Sequence, residues 1–108
     1  MFEKRKYRRL NMNFPVTIRY KGRFIPARAL NISCGGVCIT SLNTGVKLDG
    51  SFEVFFDLDS KHKDIALRAE VLHTSKDDGE NTMGVHFINP FSEKHAMLQD
   101  YLSTQLGR

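Results

Sequence analysis

The sequence contains no apolar run that approaches the length of a membrane-spanning helix, and its first residues lead into charge. An apolar segment typical of a secretory signal is also missing from this start. We therefore expect no membrane insertion and a cytoplasmic location. At 108 residues, 41% of them hydrophobic and 26% charged, the chain is long enough to bury a core, so we predict one globular domain.

Cysteine is scarce, and the two cysteines are poorly placed for a cross-link. Cys34 and Cys38 lie four residues apart, with no second Cys or His pair at zinc-finger spacing. If both belong to one strand, their Cα atoms are about 13 Å apart at ~3.3 Å per residue, too far for a disulfide. We predict reduced, partly buried cysteines and no structural zinc.

Recognisable catalytic patterns are missing as well. Ser33 lacks the first glycine of a Gly-x-Ser-x-Gly nucleophile turn, and a strand rather than a helix is expected to follow it. The histidines lie in different predicted elements without a His-x-His or His-x-x-x-His pair; they are His62, His73, His86 and His95. We predict a protein that is not an enzyme, with no catalytic residue, no metal site and no cofactor.

The positive charge is concentrated in one short segment. Residues 1 to 10 hold five basic side chains and one acidic one, whereas the remaining 11 of the 16 basic side chains are balanced by 11 of the 12 acidic ones. Proteins that follow a nucleic-acid backbone usually spread Lys and Arg over a face. A single basic arm favours a small, doubly charged anion as ligand, although a basic tail on RNA or on an anionic membrane surface stays an alternative.

Alternation of apolar and polar residues, interrupted by turn residues, predicts six strands. The predicted segments are Pro15–Tyr20, Phe24–Ile32, Val37–Ser41, Ser51–Leu58, Ile65–Val71 and Thr82–Ile88. Asp77-Asp78-Gly79 is a hairpin signal, so the last two strands should pair antiparallel.

A single helix is expected after the strands. Asn89-Pro90 ends the last strand, Ser92 is a plausible N-cap, and apolar residues then recur at helical spacing. We therefore predict a mostly β fold, a six-stranded antiparallel β-barrel with one C-terminal α-helix. Residues 1–10 are expected to form a flexible basic arm, and residues 11–108 the domain.

The arm carries a pair of guanidinium groups, Arg5 and Arg9, with three residues between them. Arg is planar and permanently charged, and its donors pair bidentately with a phosphate or with O6 and N7 of guanine. Two such groups on one arm suit a ligand that contains both phosphate and guanine. An Arg-x-x-x-Arg pair alone is common in basic chains, so it needs a second motif.

That second motif is the Asn-x-Ser-x-x-Gly turn at the end of the second predicted strand. Asn31 and Ser33 can bond nearby backbone or an approaching base edge, while Gly35 and Gly36 permit positive φ and close backbone approach. Tight turns recruit these residues generally, but here the turn follows a basic arm and a first strand. The combination predicts the polar lip of a pocket.

The arm and the turn together resemble the two signature motifs of the PilZ family, bacterial receptors for cyclic di-GMP. A late Gly-x-x-Phe segment, Gly84 to Phe87, extends the resemblance over nearly the whole chain. The family fold, a six-stranded barrel with a helix, agrees with the fold predicted from the strand pattern. Asn31 stands where Asp is the commoner choice; it keeps an acceptor and loses a charge, which should weaken a contact to the guanine edge without abolishing it.

The resemblance also implies which residues bind the ligand. Arg5 and Arg9 would clamp guanine and phosphate of cyclic di-GMP, and the turn would line the opposite side of the pocket. The turn residues are Asn31, Ser33 and Gly36, and the flanking residues expected to assist are Lys4, Arg8 and Gly35.

The function predicted from the resemblance is that of a cyclic di-GMP receptor or adaptor. It would change conformation on binding the second messenger and signal to an unidentified downstream protein in motility, biofilm or exopolysaccharide control. We expect no DNA or RNA partner, and a monomer or a ligand-dependent dimer. The alternative is a ligand-independent protein-interaction module or a small barrel that binds nucleic acid.

Overall fold

A computed structural model of the chain describes residues 8–40, 48–77, 80–88 and 92–106. It confirms the predicted architecture, because six antiparallel strands close into a barrel in the order β1-β2-β3-β6-β5-β4 and one helix follows them. The elements are β1 (Leu10–Tyr20), β2 (Arg23–Ile32), β3 (Gly36–Thr40), β4 (Ser51–Phe56), β5 (Ile65–Asp77), β6 (Glu80–Phe87) and α1 (Glu93–Gln105). No helix in the described ranges is both long and apolar enough to cross a membrane.

The barrel interior is filled by the apolar residues that alternate along each strand. Since successive side chains of a strand point to opposite faces, one face of every strand supplies the core. The largest fully buried side chains are Ile18, Ile32, Ile39, Val54, Ile65, Leu67, Leu98 and Leu102. The last two belong to α1, which packs against β5, so the helix contributes to the same core as the strands.

Helix α1 begins at the predicted cap. The side chain of Ser92 accepts a hydrogen bond from the backbone N–H of His95 at 3.1 Å, which satisfies one of the free donors of the first turn. The last turn contains no basic residue of its own. Arg8 supplies a cation there from outside the helix, because its guanidinium donates to the carbonyl oxygen of Leu106 at 3.3 Å.

Two strands extend well beyond the bounds that the alternation predicts. β1 begins at Leu10 rather than at Pro15, and β5 continues beyond Val71 to Asp77. Both extensions adjoin irregularities in the strand register, and at the one in β5 Leu72 is left exposed. A bulge adds one residue to a strand, so the period of two is broken and the pattern ends too early.

The β1–β2 hairpin determines which residues meet at its open end. Lys21 and Gly22 both have positive φ, 50° and 78°, as in a type I′ turn, whose twist matches that of paired strands. From this turn the two strands remain paired until Leu10 lies opposite Ile32. The residue before Leu10 and the residue after Ile32 therefore leave the barrel side by side.

Candidate functional site

The candidate site lies at the open end of the β1–β2 hairpin, where the basic arm joins the barrel. Arg9 directly precedes Leu10, Ser33 directly follows Ile32, and Leu10 and Ile32 are register partners. Arg9 is exposed, and its side chain forms no ion pair within the part of the chain that the structure describes. The pairing of two strands thus brings the end of the arm to the Asn-x-Ser-x-x-Gly turn, 24 positions later along the chain.

The turn is held together by the side chain of Ser33. Its hydroxyl oxygen accepts hydrogen bonds from the backbone N–H groups of Gly35 and Gly36, both at 3.2 Å. The backbone N–H of Ser33 donates in return to the carbonyl oxygen of Gly36 at 2.8 Å. Ser33 is only 9% exposed, so its hydroxyl supports the turn from within rather than projecting from it.

Gly36 is required by the close approach of β3 and β6. A Cβ atom at this position would lie 2.1 Å from the carbonyl oxygen of Val85, which is backbone and cannot rotate away. Positive φ is not the reason, since neither Gly35 nor Gly36 has it. Of the two roles that the sequence allowed for these glycines, close backbone approach is the one that Gly36 fulfils.

Asn31 faces outward because of an irregularity in β2. The register with β3 shifts between Ala29 and Asn31, so that Ile32 is fully buried while Asn31 is half-buried. Asn31 lies between Asn11 of β1 and Cys38 of β3. Its amide forms no hydrogen bond among the described residues, which leaves two donors and an acceptor beside the arm.

The other predicted site residues on the arm either do not lie at the turn or fall outside the described residues. Arg8 points to the C-terminal end of α1, where it bonds Leu106, and not to the turn. Arg5 and Lys4 lie outside the described residues. The structure therefore brings together five of the eight residues named from the sequence: Arg9, Asn31, Ser33, Gly35 and Gly36.

Two residues that support the turn were not assigned to the site from the sequence. The backbone N–H of Phe87 donates to the carbonyl oxygen of Gly35 at 2.9 Å, and Nε2 of His95 lies 2.6 Å from the carbonyl oxygen of Cys34. Phe87 belongs to the Gly-x-x-Phe segment, and the family resemblance of that segment was the available signal for Phe87. His95 is three positions before Leu98 on the apolar stripe of α1, and this spacing was the available signal that it is buried.

The two free cysteines lie in the turn and in β3. Cys34 and Cys38 are free and half-buried, as predicted, and burial raises the pKa of the Cys34 thiol, which favours the protonated form that is a weak nucleophile. Within residues 8–40, 48–77, 80–88 and 92–106, no group of three or more His, Cys, Asp or Glu side chains is arranged to hold a metal ion.

A second polar cluster lies apart from the turn, between the β4–β5 loop and α1. Nδ1 of His62 lies 2.8 Å from a carboxylate oxygen of Asp59, and Nε2 lies 2.7 Å from one of Asp100. The hydrogen bond with Asp100, and then that with Asp59, raises the pKa of His62, while the bond with His62 lowers the pKa of Asp59. This cluster attaches the loop to the helix, and the two carboxylates favour the protonated form of the imidazole between them.

One protein-family model matches most of the chain. The model of the PilZ domain family matches residues 3–104. A comparison with curated protein sequences finds no match.

Several solved structures have the same fold. The Bacillus subtilis inhibitor of motility, MotI/DgrA, has a TM-score of 0.77 and 22% identity, covering 99% of this chain and 53% of that one. The PilZ domain of YcgR from Escherichia coli, determined with c-di-GMP, has a TM-score of 0.71 and 13% identity over 98% of this chain and 99% of that one. MrkH, a c-di-GMP-dependent transcription regulatory factor, has a TM-score of 0.72 and 12% identity over 97% of this chain and 52% of that one. The chain thus spans about half the length of MotI/DgrA and MrkH.

Proposed function

Since this chain belongs to the PilZ domain family, we propose that it is a receptor for cyclic di-GMP that passes the signal to a separate downstream protein. The observation that carries the proposal is the strand register at the open end of the β1–β2 hairpin. Leu10 pairs with Ile32, so Arg9 and the Asn-x-Ser-x-x-Gly turn lie on either side of one small region. A cyclic dinucleotide between them would meet a guanidinium on one side and an amide with bare backbone on the other.

The arm supplies the charge that this ligand requires. Cyclic di-GMP contains two phosphates and two guanines, and Arg can pair bidentately with either group. The exposed guanidinium of Arg9 has no ion pair to break within the described residues, so binding would not first cost an existing contact. We assign the same role to Arg5 from its place in the motif, with Lys4 adding charge.

The turn supplies shape and one polar group. Gly35 has no side chain, so a flat base or sugar can approach its backbone closely, whereas Gly36 allows β3 to approach β6. The amide of Asn31 offers an acceptor to the N1–H and N2–H edge of guanine. Ser33 contributes by holding the turn, since its hydroxyl oxygen already accepts two backbone hydrogen bonds.

Helix α1 is the element through which binding would be transmitted. Arg8 bonds the carbonyl oxygen of Leu106 at the end of α1, only one position before Arg9. We propose that closure of the arm over the ligand withdraws Arg8 from this carbonyl, which changes the surface that α1 presents to a partner. The proposed setting is the cytoplasm, in motility, biofilm or exopolysaccharide control, and the role is non-enzymatic.

Isothermal titration of the purified protein with cyclic di-GMP tests the receptor function, with GTP and cyclic di-AMP as control ligands. We expect saturable binding of cyclic di-GMP alone, its loss in Arg9→Ala, and its retention in Arg23→Ala, which removes the same charge at the opposite end of the hairpin. The titration also gives the number of ligands per chain, and size measurements with and without ligand distinguish a monomer from a ligand-dependent dimer.

Absence of binding in a folded sample, confirmed by a second assay at high micromolar ligand, would overturn the proposal. Saturable binding of an RNA or DNA oligonucleotide in its place would support the nucleic-acid alternative.

A further inference from the structure

His95 is a buried polar side chain at the base of the turn. It is 3% exposed, and its Nε2 lies 2.6 Å from the carbonyl oxygen of Cys34, the residue between Ser33 and Gly35. A carbonyl oxygen can only accept, so Nε2 carries the proton and donates it. His95 therefore connects α1 directly to the backbone of the Asn-x-Ser-x-x-Gly motif.

The bond from His95 attaches the turn to α1, and a second bond attaches it to β6. The carbonyl oxygens of residues 34 to 36 each accept a hydrogen bond, the last of them from within the turn. The donors are His95 of α1 at 2.6 Å, the backbone N–H of Phe87 in β6 at 2.9 Å, and the backbone N–H of Ser33 at 2.8 Å. Two of these are backbone contacts that most side chains would permit, whereas the first requires a donor at position 95.

Packing alone does not explain a histidine at this position. The ring contacts Phe87 edge-on with centroids 6.3 Å apart, a contact that an apolar ring would also make. Nδ1 is buried and has no hydrogen-bond partner among the described residues. An unpaired buried nitrogen is unfavourable, so the bond to Cys34 is the one evident gain of an imidazole over a hydrocarbon side chain.

We propose that His95 is a positioning residue for the ligand site and couples the turn to α1. By holding the Cys34 carbonyl, it keeps the glycine backbone and Asn31 in the orientation that meets the arm. In the reverse direction, any movement of the turn on binding is transmitted through the same bond to α1. The ligand part of this proposal rests on the proposed cyclic di-GMP function, whereas the hold of His95 on the turn does not.

The first test uses the ligand-free protein and compares His95→Phe with Tyr101→Phe. The control also removes one hydrogen bond between α1 and the barrel, since the Tyr101 hydroxyl donates to the sulfur of Met12 at 3.4 Å, but this bond does not reach the turn. Amide hydrogen exchange at Gly35 and Gly36 should be about three- to tenfold faster in His95→Phe, as expected for loss of one hydrogen bond, and unchanged in Tyr101→Phe.

The second test measures the affinity for cyclic di-GMP in the same variants. We expect the Kd to be roughly three- to tenfold higher in His95→Phe than in the wild-type protein. His95→Gln, whose amide keeps a donor, should recover part of the affinity, and Tyr101→Phe should leave the affinity unchanged. If His95→Phe fails to fold, His95→Leu, which also lacks a donor, takes its place against Tyr101→Phe.

The proposal would be overturned if amide exchange became equally faster in His95→Phe and Tyr101→Phe, or faster across the whole barrel. Either result would show that His95 contributes only to general packing. An unchanged turn in His95→Phe would overturn the proposal as well. If the wild-type protein binds no cyclic di-GMP, the receptor function and the ligand part of the proposal fail, and the exchange measurement still decides whether His95 holds the turn.

Discussion

The two sides of the candidate site differ in how they are attached to the protein. On one side, Arg9 is exposed and without an ion pair in the described part of the chain. On the other, the turn around Ser33 is held by internal hydrogen bonds and by contacts from β6 and α1. The first side has charge with little structural support, and the second has structural support with no charge of its own.

The difference predicts that the arm contributes to affinity alone, whereas the turn contributes to both stability and affinity. A charged side chain on an exposed arm adds almost nothing to folding, because its charge is equally well solvated in the unfolded chain. A turn whose polar groups are paired inside the protein loses stability when any of them is removed. Substitutions on the arm should therefore change binding alone, and substitutions in the turn should change both.

The largest expected effect is on the arm. In the proposed site, Arg9→Ala removes a bidentate, charge-assisted contact that would contribute about 3 kcal/mol, so the Kd for cyclic di-GMP should rise about 100-fold. Arg5→Ala is expected to behave in the same way. Titration measures the affinity, and thermal unfolding of the ligand-free protein should give an unchanged Tm. A Tm as low as that of the turn variants would show that the arm belongs to the folded core.

Gly36→Ala should cause the largest loss of stability. The added methyl group would lie 2.1 Å from the carbonyl oxygen of Val85, so β3 and β6 must separate, at a cost of about 1–3 kcal/mol. Urea denaturation measures this cost, and affinity should fall with it. Gly22→Asn is the control, since no atom lies within 4 Å of that site and Asn tolerates its positive φ. Equal loss in both variants would contradict the role of close approach.

Ser33→Ala should have a smaller effect on both quantities. The N–H groups of Gly35 and Gly36 lose their shared acceptor, which we expect to cost about 1–2 kcal/mol in stability and to weaken binding through a looser turn. Ser51→Ala, which removes the hydroxyl of a half-buried serine bonded to Arg68, is the matched control. Weaker binding at full stability would instead mean that the Ser33 hydroxyl contacts the ligand directly.

The smallest expected effect concerns the surface cluster around His62, which belongs to neither side of the site. The pKa of His62 is raised in the folded protein, so its stabilising contribution is complete below the ordinary histidine pKa and is lost as pH rises through the raised value. The lowered pKa of Asp59 acts oppositely, since its contribution is present above the ordinary aspartate pKa and is lost as pH falls through the lowered value.

Thermal unfolding at pH values from below the ordinary aspartate pKa to above the ordinary histidine pKa, at low and high salt, tests the cluster. His62→Gln should flatten the decline of Tm as pH rises above the ordinary histidine pKa. High salt should make this decline smaller, because the two carboxylates are exposed to solvent. The affinity for cyclic di-GMP should not change. A change in affinity would connect this cluster to the ligand site and remove the distinction between them.

Most of the fold could be predicted because its signals are local. Apolar alternation identified all six strands, and the Ser92 cap and the spacing of Leu98 and Leu102 identified the helix. The errors occurred at irregularities such as the one near Leu72, where an extra residue breaks the period.

The candidate site was predictable in part. The residue types of the arm and the turn pointed to phosphate and guanine, but the orientation of each side chain depends on its neighbours in space. That Ser33 lines the pocket stays a prediction, and the structure adds that its hydroxyl oxygen accepts two backbone hydrogen bonds within the turn. His95 was assigned no role, because a histidine in a helix does not reveal which backbone carbonyl it will meet 61 positions earlier.

The sequence by itself determined that the chain forms a six-stranded barrel with one helix and that it has the two motifs of the PilZ family, since these depend on residue types and short spacings. Only the tertiary structure decided that Arg9 lies beside the turn, that Arg8 points to Leu106, and that His95 bonds Cys34. Each of these contacts joins residues that are distant along the chain. They arise because the closed barrel and its packed helix determine strand register and side-chain direction together, which no local pattern specifies.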